Sequence, residues 1–395
     1  MIKRESYMKR LNLVRDKQII KVLTGVRRSG KSTILKMYEQ RLKEQFQIAD
    51  NQIQHLNFED LGISDLQDYR KLYNYLNQHL VADKMNYIFF DEIQNVPHFE
   101  KALDSLFIKK NVDLYVTGSN AFMFSGELST LLSGRYIEIH VFPLSFREFL
   151  PTVNDEDKKQ AFDRYLSKGG FPFATQLNDN QTYYDYIDGI VNTVLVKDIL
   201  SRKERGNANL VKELAKYLTD TTGNLITPRK IAGLMTSKGI KISPATVSSY
   251  LKNFTDAFLF YKCDRYDISG KRYLTINSKY YTVDPALRID LLGTKRPNFG
   301  SRLENIVYLE LLRRGYEVYV GSLGSRKIDF VAIKNGVKEY YQVSLSVKDE
   351  QTYQREVRGF QQIHDNFPKR LITEDSGYYN DNGIEQINVI DWLLS

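Results

Sequence analysis

The sequence predicts an α/β protein organised as distinct domains in series, and three observations carry that prediction. The first is length: 395 residues exceed one ordinary core, since a domain takes roughly 150 residues. The second is rhythm. From Gln18 to about Val141 short apolar runs alternate with amphipathic segments, as they do when helices cover a parallel sheet, and the alternation resumes from Asn298. The third lies between. From Leu144 to about Arg202 no strand pattern occurs, and apolar residues recur at helical spacing. The expected divisions are an α/β sheet domain over 1–143, a helical lid over 144–205, a basic helical segment over 206–275 and a second α/β domain over 276–395.

In order along the chain, strands are expected at Gln18–Thr24, Ile53–Phe58, Asn86–Phe90, Asp113–Thr117 and Tyr136–Phe142. Helices are expected at Lys31–Gln45, Leu66–Leu80 and His98–Ile108, where apolar residues recur at three and four. The lid carries helical spacing in Asp157–Leu166 and Tyr183–Leu200. Asn209–Arg272 reads as three helices and a two-stranded ribbon, with stops at Gly223, Pro228, Gly239 and Pro244. The tail reads as helix Arg302–Arg313, strands Tyr316–Gly321, Lys327–Lys334 and Glu339–Leu345, and helix Tyr353–Asn366.

Composition narrows the class of function. Apolar residues at 42% and charged residues at 26% describe a chain that buries large cores, which excludes disorder of the whole. No stretch approaches the roughly 18 uncharged apolar residues of a membrane span, and Met1–Arg10 lacks the apolar core of a signal peptide. A cytoplasmic location without membrane contact is expected. A single cysteine, Cys263, excludes internal disulfides and multi-cysteine metal sites, and it reads as a small buried apolar residue. The net charge of +8 leans toward polyanions.

Gly25-Val26-Arg27-Arg28-Ser29-Gly30-Lys31-Ser32 matches the P-loop at every defined position, between a predicted strand and a predicted helix that continues through Thr33. The glycines let successive backbone N–H groups face one phosphate, and the helix N-terminus adds about half a positive charge. Lys31 would bridge the outer phosphates and the Ser32 hydroxyl would ligate Mg²⁺. Sixty positions later Tyr87-Ile88-Phe89-Phe90-Asp91-Glu92 is an apolar strand ending in two carboxylates, a Walker B strand. Asp91 there can hold the magnesium shell and Glu92 can orient an attacking water.

These motifs, with Thr117-Gly118-Ser119-Asn120, Leu132-Ser133-Gly134-Arg135-Tyr136 and Phe142-Pro143-Leu144-Ser145-Phe146, resemble the prokaryotic AAA+ (ASCE-type) P-loop ATPases. The similarity is closest to the subgroup whose C-terminal half is a domain of unknown function. It extends over Gly169-Gly170-Phe171-Pro172 and Lys279-Tyr280-Tyr281-Thr282-Val283-Asp284. The resemblance implies ATP and Mg²⁺ as cofactors and a polar γ-phosphate sensor at Ser119 or Asn120, between which spacing does not choose. It also implies an arginine, here Arg135, that completes a neighbouring subunit's site in a homo-oligomer; a plain surface arginine is the alternative. No sensor arginine is evident in the lid.

Between Gly206 and Arg265 nine Lys or Arg residues face four acids. Thr227-Pro228 and Ser243-Pro244 cap two helices, and Asp267–Arg272 reads as a hairpin tip, so the segment resembles a winged helix-turn-helix. Arg229, Lys230, Ser248, Lys252, Lys271 and Arg272 would contact duplex DNA. A protein-docking module with a solvated basic face is the other reading. In the tail, Glu304, Asp329 and Gln342 resemble the PD-(D/E)xK restriction-endonuclease-like layout, but Gln342 and Ser344 replace the second acid and the lysine. A non-cleaving domain follows, unless a migrated lysine, Lys327 or Lys348, restores the site. The expected function is a Mg²⁺-dependent ATPase acting as a motor or switch on DNA. The alternatives are a slow assembly ATPase with protein partners and, third, an ATP-coupled nuclease.

Overall fold

The computed structural model describes residues 2–118, 132, 134–153, 157–200, 207–293, 298–324 and 326–395. It resolves into two units, one of residues 1–143 with 256–258 and one of the remainder. The first holds a five-stranded, wholly parallel sheet of β1 (Ile20–Thr24), β2 (Ile53–Asn57), β3 (Asn86–Asp91), β4 (Val112–Thr117) and β5 (Tyr136–His140), in the order β2-β3-β4-β1-β5. Both faces are covered, so strands read as apolar runs whose alternate residues enter different cores. Ile88 and Phe90 join Val22, Leu114 and Val116 on one side, while Tyr87 and Phe89 join Leu23 and Tyr115 on the other.

Two features of this unit were not expected. A helix, Glu5–Leu13, packs Met8 and Leu11 into the second core. On that face Lys21 and Asp113 form a fully buried ion pair, with Tyr115 Oη donating to Asp113 Oδ2 at 2.8 Å. Burial lowers the Lys21 pKa and raises that of Asp113, and each partially offsets the shift of the other.

The second unit contains an eight-stranded mixed sheet, in the order β12-β13-β11-β10-β9-β8-β6-β7. Its strands are β6 (Phe260–Asp267), β7 (Arg272–Thr282), β8 (Glu317–Leu323), β9 (Arg326–Lys334), β10 (Val337–Val343), β11 (Lys369–Thr373), β12 (Tyr379–Asp381) and β13 (Ile384–Asn388). Helices precede the hairpin at Ala208–Asp220, Pro228–Ser237 and Pro244–Asp256. Thr227 and Ser243 cap the last two by accepting from Lys230 N and Thr246 N.

The expected boundary at 275/276 falls inside β7, and β6 pairs in parallel with β8 through Arg265↔Val320. The ribbon thus does not end a separate segment: its backbone groups complete the edge of the larger sheet, where they find partners that an isolated hairpin lacks.

Two motifs distant in sequence meet at Asp284. Its carboxylate accepts from Gly170 N and Ala286 N, each at 2.8 Å, and a Cβ on Gly169 would lie 1.7 Å from Oδ1. Only glycine tolerates that approach together with φ +70°. Burial raises the Asp284 pKa to about 7 against those two hydrogen bonds. Cys263 is buried with its Sγ 3.5 Å from the Val318 carbonyl, and burial pushes its thiol pKa up.

Candidate active site

Parallel pairing brings the strand ends that carry the motifs to one edge of the first sheet. β4 lies between β1 and β3, with Leu23↔Thr117 and Phe90↔Val116 in register, so Thr117 stands between the loop leaving β1 and the acids ending β3. At a strand spacing of about 4.8 Å, the two motifs are about 10 Å apart.

The loop after β1 curls at Gly25 (φ +137°) and Gly30 (φ +99°), the second of which starts the Lys31–Phe46 helix. A Cβ on Gly25 would lie 2.2 Å from the Val141 carbonyl. Lys31 Nζ donates to the carbonyls of Gly25 at 2.9 Å and Val26 at 3.1 Å. Val26 and Ser29 are buried, and Ser29 Oγ has no hydrogen-bond partner. Arg28 (φ +67°) and Thr33 are exposed, Ser32 is half-buried, and Arg27 Nη1 stands 3.8 Å from Glu59 Oε1. A loop with an orphaned buried hydroxyl and an ammonium resting on carbonyls has the donor set that phosphate oxygens require.

Asp91 and Glu92 are both buried. Thr117 Oγ1 donates to Asp91 Oδ1 and accepts from Glu92 N at 3.0 Å, so one hydroxyl holds the Asp91 carboxylate and the Glu92 backbone. Gln94 Nε2 donates to Glu92 Oε2. Glu92 has φ +52°, a left-handed conformation that costs a non-glycine residue about 1 kcal/mol and concentrates at functional sites.

Sequence reasoning missed Thr117 as a positioning group, and it missed Arg4. Arg4 is buried, with Nη1 on the Ser29 carbonyl at 3.1 Å and Nη2 on the Phe142 carbonyl at 2.8 Å. Tyr7 Oη accepts from Phe142 N at 3.1 Å. Arg4 thereby ties the phosphate loop to the segment after β5. No motif surrounds it, so nothing in the sequence marked it.

Ser119, Asn120 and Ser133 lie outside the described residues. Arg135 precedes β5, whose first residue pairs with Ile20, so it flanks the start of β1 and not its P-loop end. Four residues of strand put it about 13 Å from that end. It forms an ion pair with Asp104 and stands 5.6 Å from the Phe107 ring.

Arg229, Lys230, Ser248, Lys252, Lys271 and Arg272 are exposed. Arg272 Nε is 3.3 Å from Asp267.

Glu304 and Asp329 do meet, and a lysine other than Lys327 or Lys348 joins them. Lys279 of β7 places Nζ 2.7 Å from Glu304 Oε1 and 3.3 Å from Asp329 Oδ1, and Tyr281 Oη donates to the same Glu304 oxygen at 2.6 Å. Gln342 turns to other partners: Oε1 accepts from Asp329 N at 3.2 Å and Nε2 donates to Glu356 at 2.8 Å. Burial raises the Glu304 pKa; it also opposes the Lys279 charge, but the two carboxylates outweigh it and hold Lys279 above the usual lysine range. An ammonium between the acids does not fit a divalent ion there. Among the described residues no cluster of three or more His, Cys, Asp or Glu side chains forms a metal site.

Sheet order, glycine loop and paired acids define a P-loop domain of the AAA+ ATPase class, and residues 17–150 match the family described as "AAA domain". Residues 159–298 match "Domain of unknown function (DUF8612)". The chain belongs to the same family as an "Uncharacterized protein" of Haemophilus influenzae, to which it is 41% identical over 100% of its own length and 99% of the relative's. It is also 29% identical to "Uncharacterized protein MJ1544" of Methanocaldococcus jannaschii, over 94% of this chain and 85% of that one. Among solved structures it is similar in fold to "the walker-type atpase paby2304 of pyrococcus abyssi". That likeness has a TM-score of 0.51 and 16% identity, over 74% of this chain and 96% of the other. Among the described residues no helix is long and apolar enough to cross a membrane.

Proposed function

We propose that the chain is a Mg²⁺-dependent ATPase that works as a nucleotide-driven switch or motor on duplex DNA. The observation that supports hydrolysis most is the Asp91–Thr117–Glu92 arrangement beside a loop whose lysine rests on neutral carbonyls. When bound, Mg²⁺-ATP supplies the electrophilic phosphorus and the charge that draws these groups together. Lys31 would leave the Gly25 and Val26 carbonyls for phosphate oxygens, and Ser32 and Asp91 would hold the metal. Thr117 keeps Asp91 aimed at it, and Gln94 keeps Glu92 aimed at the water whose proton Glu92 accepts. Arg135, at the other end of its own sheet, serves a neighbouring subunit, and Asp104 presents it. Ser119 and Asn120 are the candidate γ-phosphate sensors.

Arg229, Lys230, Ser248 and Lys252, with Lys271 and Arg272 at the hairpin, make up the DNA-contacting face of a winged helix-turn-helix. The domain after it is nuclease-like and non-cleaving, because Lys279 occupies the place of the metal. One observation favours the second reading, a slow assembly ATPase with protein partners: the hairpin is built into the sheet edge, which limits how far a wing can follow a groove. Steady-state ATP hydrolysis with and without duplex DNA separates the two. Salt-sensitive stimulation of turnover supports the DNA reading. Unchanged turnover, with no salt-sensitive binding to any duplex, replaces it with the protein-partner reading.

A further inference from the structure

The phosphate loop is held from behind by the N-terminal segment, and that hold fixes a direction which the loop sequence leaves open. Arg4 is only 3% exposed. One planar fork spans two backbone segments: Nη1 donates to the Ser29 carbonyl at 3.1 Å and Nη2 to the Phe142 carbonyl at 2.8 Å. Tyr7 steadies both partners, since its Oη accepts from Phe142 N at 3.1 Å and its ring centroid lies 4.7 Å from the Arg4 guanidinium carbon. One residue earlier, the Val141 carbonyl stands where a Cβ on Gly25 would come within 2.2 Å. The loop is thus braced at both ends against the chain leaving β5, at Gly25 by close approach and at Ser29 through Arg4.

A trans peptide is planar, and its C=O and N–H point in opposite directions. Fixing the Ser29 carbonyl on Arg4 therefore also fixes Gly30 N–H, which points away from the guanidinium. Gly30 has φ +99°, a value that glycine exchanges for a negative one at little cost, so on local grounds the Ser29–Gly30 peptide can turn over. Turned over, it would present the carbonyl where the N–H had been. A carbonyl dipole repels a phosphate there, whereas an N–H at the start of a helix attracts it.

Ser29 does not settle the direction by itself. It is fully buried, its Oγ has no hydrogen-bond partner, and its N–H donates to the Val26 carbonyl at 3.3 Å. The Gly25 and Val26 carbonyls are held by Lys31, the group that the proposed function moves to the nucleotide. The Ser29 carbonyl is held instead by a buried side chain with a second anchor at Phe142, which stays in place when Lys31 moves.

Given the nucleotide reading of this loop, on which the assignment rests, we infer that Arg4 is a positioning residue for the nucleotide phosphates. By clamping the Ser29 carbonyl it keeps the peptide in the orientation that offers Gly30 N–H to a phosphate oxygen. Backbone N–H groups of such a loop cradle the inner phosphates in ground and transition state alike, so losing Arg4 weakens binding of ADP and ATP together and spares the saturated rate.

The test compares the full chain with its Arg4→Met and Arg4→Lys variants at a temperature where all are folded, by calorimetric titration of Mg²⁺-ADP and by steady-state ATP hydrolysis. Arg4→Met should weaken ADP by about tenfold or more and raise KM for ATP by a similar factor, with kcat within about twofold of the parent. Arg4→Lys keeps a charge behind the loop but does not span both carbonyls, and it should bind nearly as weakly as Arg4→Met. Full recovery in Arg4→Lys overturns the inference, because charge alone would then suffice. A lower unfolding temperature with unchanged ADP affinity also overturns it, since Arg4 would then be only structural, and so does a fall in kcat at unchanged KM. Should Arg4→Met not fold, Arg4→Lys decides alone: a loss of about tenfold sustains the inference and parental affinity overturns it. A parent chain that binds neither nucleotide removes the nucleotide reading and this inference with it, whereas a parent that binds both while Arg4→Met binds equally well removes this inference alone.

Discussion

Two pairs of carboxylates, Asp91 and Glu92 at the end of β3 and Glu304 of a helix with Asp329 of β9, each have a lysine in attendance and are built in opposite ways. Among the described residues, the side-chain hydrogen-bond partners of Asp91 and Glu92 are neutral, the Thr117 hydroxyl and the Gln94 amide, while Lys31 donates to loop carbonyls. Around Glu304 and Asp329 the lysine itself lies between the acids, with the Tyr281 hydroxyl closing one side. The same residue types thus make a pair to which the proposed function assigns an external cation and a pair that is neutralised from within. Where the ammonium ends is what distinguishes them, since a cation close to two acids in a low-dielectric site leaves little for a metal to gain.

Moving that ammonium is the sharpest way to break the contrast. Lys279→Met should leave two uncompensated, partly buried carboxylates and cost about 3 kcal/mol. Mn²⁺ should restore much of the loss, because the acids then resemble the Asp91 site. The triple variant Lys279→Met, Glu304→Gln, Asp329→Asn should recover stability without metal. Thermal unfolding with and without Mn²⁺ measures all three, and Mn²⁺ binding by the unaltered cluster, lost in Asp329→Asn, would contradict the assignment.

At the other pair, Glu92→Gln should bind ATP yet lower turnover by about 100-fold or more, whereas Lys31→Ala should weaken binding as well. Nucleotide titration beside steady-state hydrolysis distinguishes the two, and a wild-type rate in Glu92→Gln would remove the glutamate from the chemistry. Thr117→Val keeps the shape and deletes the hydroxyl; turnover should fall about tenfold with little change in ATP affinity. A rate equal to that of the parent would show that the acids orient themselves. Arg135→Ala should lower hydrolysis with little effect on affinity, and mixing it with Glu92→Gln protein should restore part of the activity, as measured in a titration of one variant with the other.

Asp284, buried and with backbone N–H groups rather than a lysine as hydrogen-bond partners, should respond to pH. Its folded pKa of about 7 lies above the ordinary carboxylate range, so between about pH 4 and 7 the folded state holds the extra proton. Stability from this group is therefore present at low pH and falls as pH rises through that window, by at most about 1.4 kcal/mol per unit. Asp284→Asn should flatten that slope in urea midpoints measured from pH 5 to 7.5, and an unchanged slope would place the titration elsewhere.

Much of the first unit was legible because its signals are local. Five strand expectations correspond to β1–β5 within two residues at either end, as short apolar runs between turn residues allow. The C-terminal unit was read less far. β11, β12 and β13 follow the last predicted helix and were not seen, being short and ordered by a chain of pairings in which β11 pairs with β10, β13 with β11 and β12 with β13. In the sequence Lys279 stands out only as the first residue of the Lys279–Asp284 motif. Its partners come from a helix 25 positions away and a strand 50 positions away, a separation that local pattern does not reach.

By itself the sequence determined which backbone turns are phosphate loops, which strand ends in acids and where helices are capped, because each depends on residues within one turn or one strand of each other. Tertiary structure alone decided that β4 sets Thr117 against Asp91, that Arg4 reaches Ser29, and that Lys279 and not Lys327 or Lys348 stands between Glu304 and Asp329. It also decided that Lys21 and Asp113 are buried together, which no spacing rule reveals, since burial and the electrostatics that follow from it belong to the packed chain.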